Sequence, residues 1–236
     1  MFKPCIDVKY KKVVQLEQGS RLALTDERSP TEIAKIYDED GLSGGHMIDL
    51  EGGSNKDVIL PALKYNNLQV GGGIRLKNGK EYLDAGATHL IFSSAVFNEK
   101  GIDWEMLKTL KGTFGREHLV LAPDVKNDRF IYANLWKSKT PVELTHQILE
   151  KLSDYCDEFL IHSIEVEGME GGIDFDLVDF LSDAKGVKIV YAGGCNDIED
   201  VSRLHEKGLD ITIGKAYYNG VIPHDKLVAL NKRLSL

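Results

Sequence analysis

Asp7 and Asp124 are the residues whose type and placement first suggest chemistry. Each closes a short apolar run, in Cys5-Ile6-Asp7-Val8 and Ala122-Pro123-Asp124-Val125. Two carboxylates flanking one pocket can divide proton removal from proton donation. Taken singly, either could instead cap a helix or tether a loop. Two glycine clusters accompany them, in Leu68-Gln69-Val70-Gly71-Gly72-Gly73-Ile74-Arg75 and in Lys188-Ile189-Val190-Tyr191-Ala192-Gly193-Gly194-Cys195. Glycine takes positive φ and lets backbone amides approach a ligand closely; bare amides where a helix starts attract an oxyanion such as phosphate.

Gly72, Gly73 and Ser94 form one candidate phosphate cradle, and Gly193, Gly194, Gly214 and Lys215 the other. Tight turns from strand to helix would explain one glycine at each place but not the duplicated pairs. Two grips on opposite sides of one mouth imply a long substrate with a phosphate at each end. The carboxylates would then act near its middle.

The pattern that holds these residues is a repeat. The glycine clusters recur at an offset of about 121 residues, and Thr88 to Ala95 lines up with Leu209 to Ala216 at the same offset. Ser29-Pro30-Thr31-Glu32 is echoed by Thr140-Pro141-Val142-Glu143, and both read as capping boxes with proline at the first helical position. With the two aspartate runs, four echoes in one order indicate two homologous halves.

Apolar runs predict strands at Phe2–Val8, Gly44–Leu50, Leu68–Gly71, Thr88–Phe92, His118–Asp124, Glu158–Ser163, 187–191 and Leu209–Ile213. Helical patterns fall between them: after Ser29, through Ala62 and Leu63, around Glu81–Ala85, from Asp103 to Lys111, over 140–153, 174–184 and 197–206, and from His224 to Leu234. Val13–Glu17 is a second extended piece, and Lys126–Lys139, with Tyr132 and Trp136, is a hairpin-like excursion over one rim. Eight β–α units of about 25 to 30 residues predict an α/β fold, a (β/α)8 barrel spanning 1–236 as one domain. An open doubly wound sheet uses the same units, but two similar halves favour closure. In a barrel the chemistry sits at the C-terminal strand ends, where both aspartates fall.

Composition narrows the partners. A net charge of −8 argues against nucleic acid or an anionic membrane. No apolar run approaches the roughly 18 residues of a membrane span, and Met1-Phe2-Lys3-Pro4 opens no secretory apolar region. Cys5, Cys156 and Cys195 form no CxxC pair, so neither a disulfide framework nor a zinc site is expected. The expectation is a cytoplasmic monomer acting on a small molecule with two phosphates.

With these motifs in place the whole chain resembles the ProFAR isomerases of histidine biosynthesis, which act on phosphoribosylformimino-5-aminoimidazole carboxamide ribotide. The likeness rests on the Asp7 strand, Gln69 to Arg75, the Asp124 strand, Trp136, the segment from Phe159 to Gly172 and Tyr191-Ala192-Gly193-Gly194. That family is a duplicated half-barrel with two phosphate sites. The resemblance implies an Amadori rearrangement of an aminoaldose to an aminoketose without metal or redox cofactor. It implies Asp124 as the acid that opens the ribose ring and Asp7 as the base that takes the C2 proton. It also implies Arg75 on a phosphate, Trp136 on the flat imidazole carboxamide, and Gly168 and Gly172 in the substrate loop. The segment is closest to the eukaryotic-type branch: His162 stands where the bacterial strand end has Thr, and Glu167 where its loop has Asp. His162 is thus a third candidate catalytic residue, able to bond Asp124, touch substrate or fill the mouth.

Two rivals remain. The sister cyclase of imidazole glycerol phosphate synthase shares both aspartates but has a lysine after Val-Val, where this chain has Gln15. A non-catalytic phosphate-binding barrel would be free to lose the carboxylates that this chain keeps. A phosphosugar isomerase with a single phosphate grip leaves the second glycine pair unexplained.

Overall fold

The computed structural model describes residues 1–17, 21–167 and 172–234. Eight parallel strands form the barrel: β1 (Phe2–Lys9), β2 (His46–Asp49), β3 (Gln69–Gly71), β4 (His89–Phe92), β5 (Leu119–Leu121, continued by Asp124–Val125), β6 (Glu158–Ser163), β7 (Lys188–Ala192) and β8 (Asp210–Ile213). Each pairs with the next, and β8 returns to β1 with Pro4 opposite Ile213, so the eight strands close into a barrel. The (β/α)8 reading is right, and the open sheet is excluded.

Alternation along the strands sorts the side chains. Ile91, Val120, Leu160 and Val190 fill the barrel interior with Ile48, Ala122 and Ala192 packed against them. The intervening residues, among them Ile6, Met47, Val70, Leu90, Phe159, Tyr191 and Ile211, face out into the layer under the helices. The N-terminal end of the barrel is polar: Lys3 lies 3.5 Å from Asp210, and Gln69 donates to Glu158 at 2.6 Å. This leaves the C-terminal mouth as the open end.

The first helix, Pro30–Glu39, starts as expected: Ser29 accepts from the Glu32 N–H, and the Glu32 carboxylate accepts from the Ser29 N–H. Its proposed echo does not exist. Thr140–Glu143 belongs to the strand Ser138–Glu143, which pairs antiparallel with Phe130–Ala133. The next helix, His146–Ser153, is capped by Thr145, whose hydroxyl accepts from the Ile148 N–H. Thr145 is therefore the counterpart of Ser29. The duplication is nonetheless deeper than the sequence suggests, because β1 too is followed by an antiparallel hairpin, Lys12–Glu17 with Arg21–Thr25.

Candidate active site

The inward face of β1 carries Cys5 and Asp7 up to the mouth, and Asp124 and His162 meet there as register partners of β5 and β6. Asp7, Asp124, His162, Gly72, Gly73, Arg75, Ser94 and Trp136 all line one cavity of about 380 Å³. The second candidate cradle, Gly193, Gly194, Gly214 and Lys215, lines an adjoining cavity of about 530 Å³. Residues far apart in sequence thus converge because the strand ends and the loops that follow them share one mouth of the barrel.

Charge is unevenly held. Burial raises the Asp7 carboxyl to about 7, with the Cys5 thiol pulling down, the Glu167 charge adding to the rise and His162 opposing it. The Cys5 Sγ stands 3.5 Å from Asp7 Oδ1. His162 Nδ1 lies 3.0 Å from Asp124 Oδ1, and its Nε2 lies 3.0 Å from Glu167 Oε2. Burial opposes a charge on this ring, but its two carboxylate partners prevail and lift it to about 10. An imidazolium therefore donates both N–H groups at neutral pH. Trp136 packs edge-on against the same ring at 5.4 Å between centroids.

The glycines have a packing reason as well as a chemical one. A Cβ at Gly72 would lie 2.0 Å from the Asp49 carbonyl oxygen, and one at Gly193 2.6 Å from that of Ser163. At Gly73 it would lie 2.2 Å from the Gly52 carbonyl carbon, and at Gly194 2.2 Å from the Gly172 oxygen. All four have positive φ. The collisions match between halves, so the loop after each glycine strand seats on the loop before it in the same way twice. Gly172 takes part in that seating, with its carbonyl under Gly194; Gly168 lies outside the described residues. The Arg75 guanidinium donates to the Ile74 carbonyl at 2.8 Å at the rim of the mouth.

The profile of the family described as "Histidine biosynthesis protein" matches residues 1–223. The chain belongs to this family. Individual members agree over nearly the full length. An isomerase of Medicago truncatula, named as chloroplastic, is 35 % identical over 97 % of this chain and 80 % of its own. One of Neurospora crassa is 35 % identical over 91 % of each chain. One of Methanocaldococcus jannaschii is 33 % identical over 97 % of this chain and 98 % of its own. All three are named as imidazole-4-carboxamide isomerases of a substrate with two 5-phosphoribosyl groups.

Against the family background, several mouth residues stand out that the sequence reading left without a role. Glu167 is the second partner of His162. Gln15 is 3 % exposed, lines the mouth and donates from Nε2 to the Val14 carbonyl at 3.0 Å. His46 is buried on the mouth floor, and burial, then the charge of His162, pushes its imidazole down to about 4, so it is neutral. The signal for His46 was available: it shares the inward register of β2 with Ile48. For Glu167 no local signal exists, since its partner is set by how the loop after β6 folds back.

Proposed function

We propose that this chain, an isomerase of the histidine-biosynthesis family, converts ProFAR to its aminoketose by an Amadori rearrangement with Asp7 as base and Asp124 as acid. The observation that carries the reading is the asymmetry of the two carboxylates: Asp7 is held near neutrality by burial, and Asp124 is tied to a charged imidazole. A base with a pKa near the working pH is both ionised and basic enough to take a carbon-bound proton.

The steps follow from that division. The His162–Asp124 pair is the acid: the imidazolium supplies, through the carboxylate it donates to, the proton that passes to the ribose ring oxygen as the C1–O bond breaks, leaving an iminium at C1. Asp7 removes the C2 proton, and the electron pair moves to the iminium nitrogen through a new C1–C2 double bond. Loss of the C2 hydroxyl proton and protonation at C1 complete the aminoketose. The substrate's own iminium is the electron sink, so the route needs no cofactor. His162 acts through Asp124, fixing its orientation and compensating its charge. The two glycine cradles hold the phosphates at either end, and Trp136 covers the imidazole carboxamide.

The rival cyclase would need an ammonium where Gln15 presents a neutral amide packed against the Val14 backbone. We further propose that the protein works as a cytoplasmic monomer on this small bis-phosphate alone. The deciding experiment is turnover of ProFAR by the purified protein, with and without an excess of cyclase to consume the product. A signal that requires the added cyclase supports the isomerase; turnover of the aminoketose product but not of ProFAR identifies a cyclase, and binding without turnover identifies an inert barrel.

A further inference from the structure

The two cavities share four lining residues: Glu167, Gly193, Thr212 and Gly214. They therefore mark the passage between the second cradle and the catalytic mouth. Thr212 is the one hydroxyl among them. It lies on the inward face of β8, opposite Ala192 on β7 and Lys3 on β1. The residue is only 7 % exposed, and its Oγ has no hydrogen-bond partner among the described residues. A buried hydroxyl left without a partner is costly, so its persistence calls for one.

The surroundings say what kind. Gly214 stands two residues on along the same face, and a Cβ there would meet Gln15 Oε1 at 2.5 Å. The Gln15 amide thus packs over the bare Gly214 backbone, and Thr212 lies beneath, lining both cavities. Glu167 contributes a carboxylate to the same constriction. A phosphate dianion would be repelled by that charge, and Lys215 draws it to the far side. A neutral hydroxyl suffers no such repulsion and can both give and accept a hydrogen bond.

We propose that this passage is a sugar subsite, in which the Thr212 hydroxyl bonds a ribose hydroxyl of the phosphoribosyl arm anchored in the second cradle. The proposal rests on the isomerase reading, which supplies an arm of the right kind: phosphate in the cradle, reacting carbon in the mouth, and ribose between them. Threonine here reads the sugar rather than the phosphate.

The test compares wild type, Thr212→Val and Thr212→Ser, with folding checked by thermal melting, ProFAR kinetics, and calorimetric binding of inorganic phosphate. Valine keeps the shape and removes the hydroxyl. The expected result is a rise in KM of about tenfold in Thr212→Val, the ratio one ordinary hydrogen bond supplies. The loss should fall on KM more than on kcat, serine should restore most of it, and phosphate affinity should not change. An unchanged KM in folded Thr212→Val overturns the subsite while leaving the isomerase standing. An equal fall in phosphate affinity overturns it too, since the variant would then be distorting the cradle. Absence of ProFAR turnover in wild type removes the isomerase reading and the subsite with it.

Discussion

The imidazole of His162 is held between two carboxylates, 3.0 Å from Asp124 and 3.0 Å from Glu167. One ring thus joins the end of β5 to the loop after β6. Its charge is felt at Asp7, where it opposes the effect of Glu167. Asp7, His162 and Glu167 act on one another through their charges, and that coupling makes the assignment testable.

If Asp7 is the base, kcat/KM should rise with pH through an apparent pKa near 7. Removing the Glu167 charge with Glu167→Gln should move this limb to lower pH, because that charge helps to hold the Asp7 proton. A pH profile that stays put in Glu167→Gln would detach Asp7 from the limb.

Asp7→Asn and Asp124→Asn should each cut turnover by about 10²-fold or more. Their stabilities should diverge. Asp7 has a folded pKa of about 7 against 3.8 for an exposed group, so its ionisation costs the fold stability as pH rises from about 4 to about 7. Asp7→Asn lacks that cost and should gain about 1 to 3 kcal/mol over wild type at pH 8, the lower figure reflecting solvent access at the mouth. Asp124→Asn strands the imidazolium with one partner and should lose stability. Melting curves at pH 5 and pH 8 for both variants decide this; a stability gain in Asp7→Asn that is equally large at pH 5 would refute the account.

His162→Thr restores the bacterial residue type but leaves Asp124 and Glu167 without their shared cation. We expect a fall in kcat of about 10- to 100-fold and a shift of the acid limb to higher pH, opposite to that of Glu167→Gln. Wild-type kinetics in this variant would show that the imidazole only fills space.

Gly73→Ala should be far more damaging than Gly52→Ala. Both positions have positive φ, but a Cβ at Gly73 meets the Gly52 backbone at 2.2 Å while one at Gly52 has nothing within 4 Å. The difference in unfolding free energy should exceed about 2 kcal/mol, measured by denaturant titration, and ProFAR KM should rise only in the first.

Much of this was readable from the chain. Strands such as Glu158–Ser163 announce themselves because a buried strand must be an unbroken apolar run, and the glycine clusters punctuate them. Thr140–Glu143 misled because a Thr-Pro-x-Glu string carries the local chemistry of a helix start, while antiparallel pairing with Phe130–Ala133 decides its conformation. Arg21–Thr25 gave no signal, since most of its residues are exposed and no alternation is imposed. The site divides in the same way. Asp7 and Asp124 could be found from their place at strand ends. The pairing of His162 with Glu167 could not, because it depends on a loop folding back.

The seating of Gly73 on Gly52 and of Gly194 on Gly172 bears on how such barrels can be cut and rejoined. Each loop after a glycine strand is a fitted counterpart of the loop before it, so β2 travels with β3 and β6 with β7. A chimaera that crossed over inside either couple would press together backbones that were never shaped to each other. A junction between β4 and β5 leaves both couples whole, which makes the half-barrel a unit of exchange as well as of ancestry.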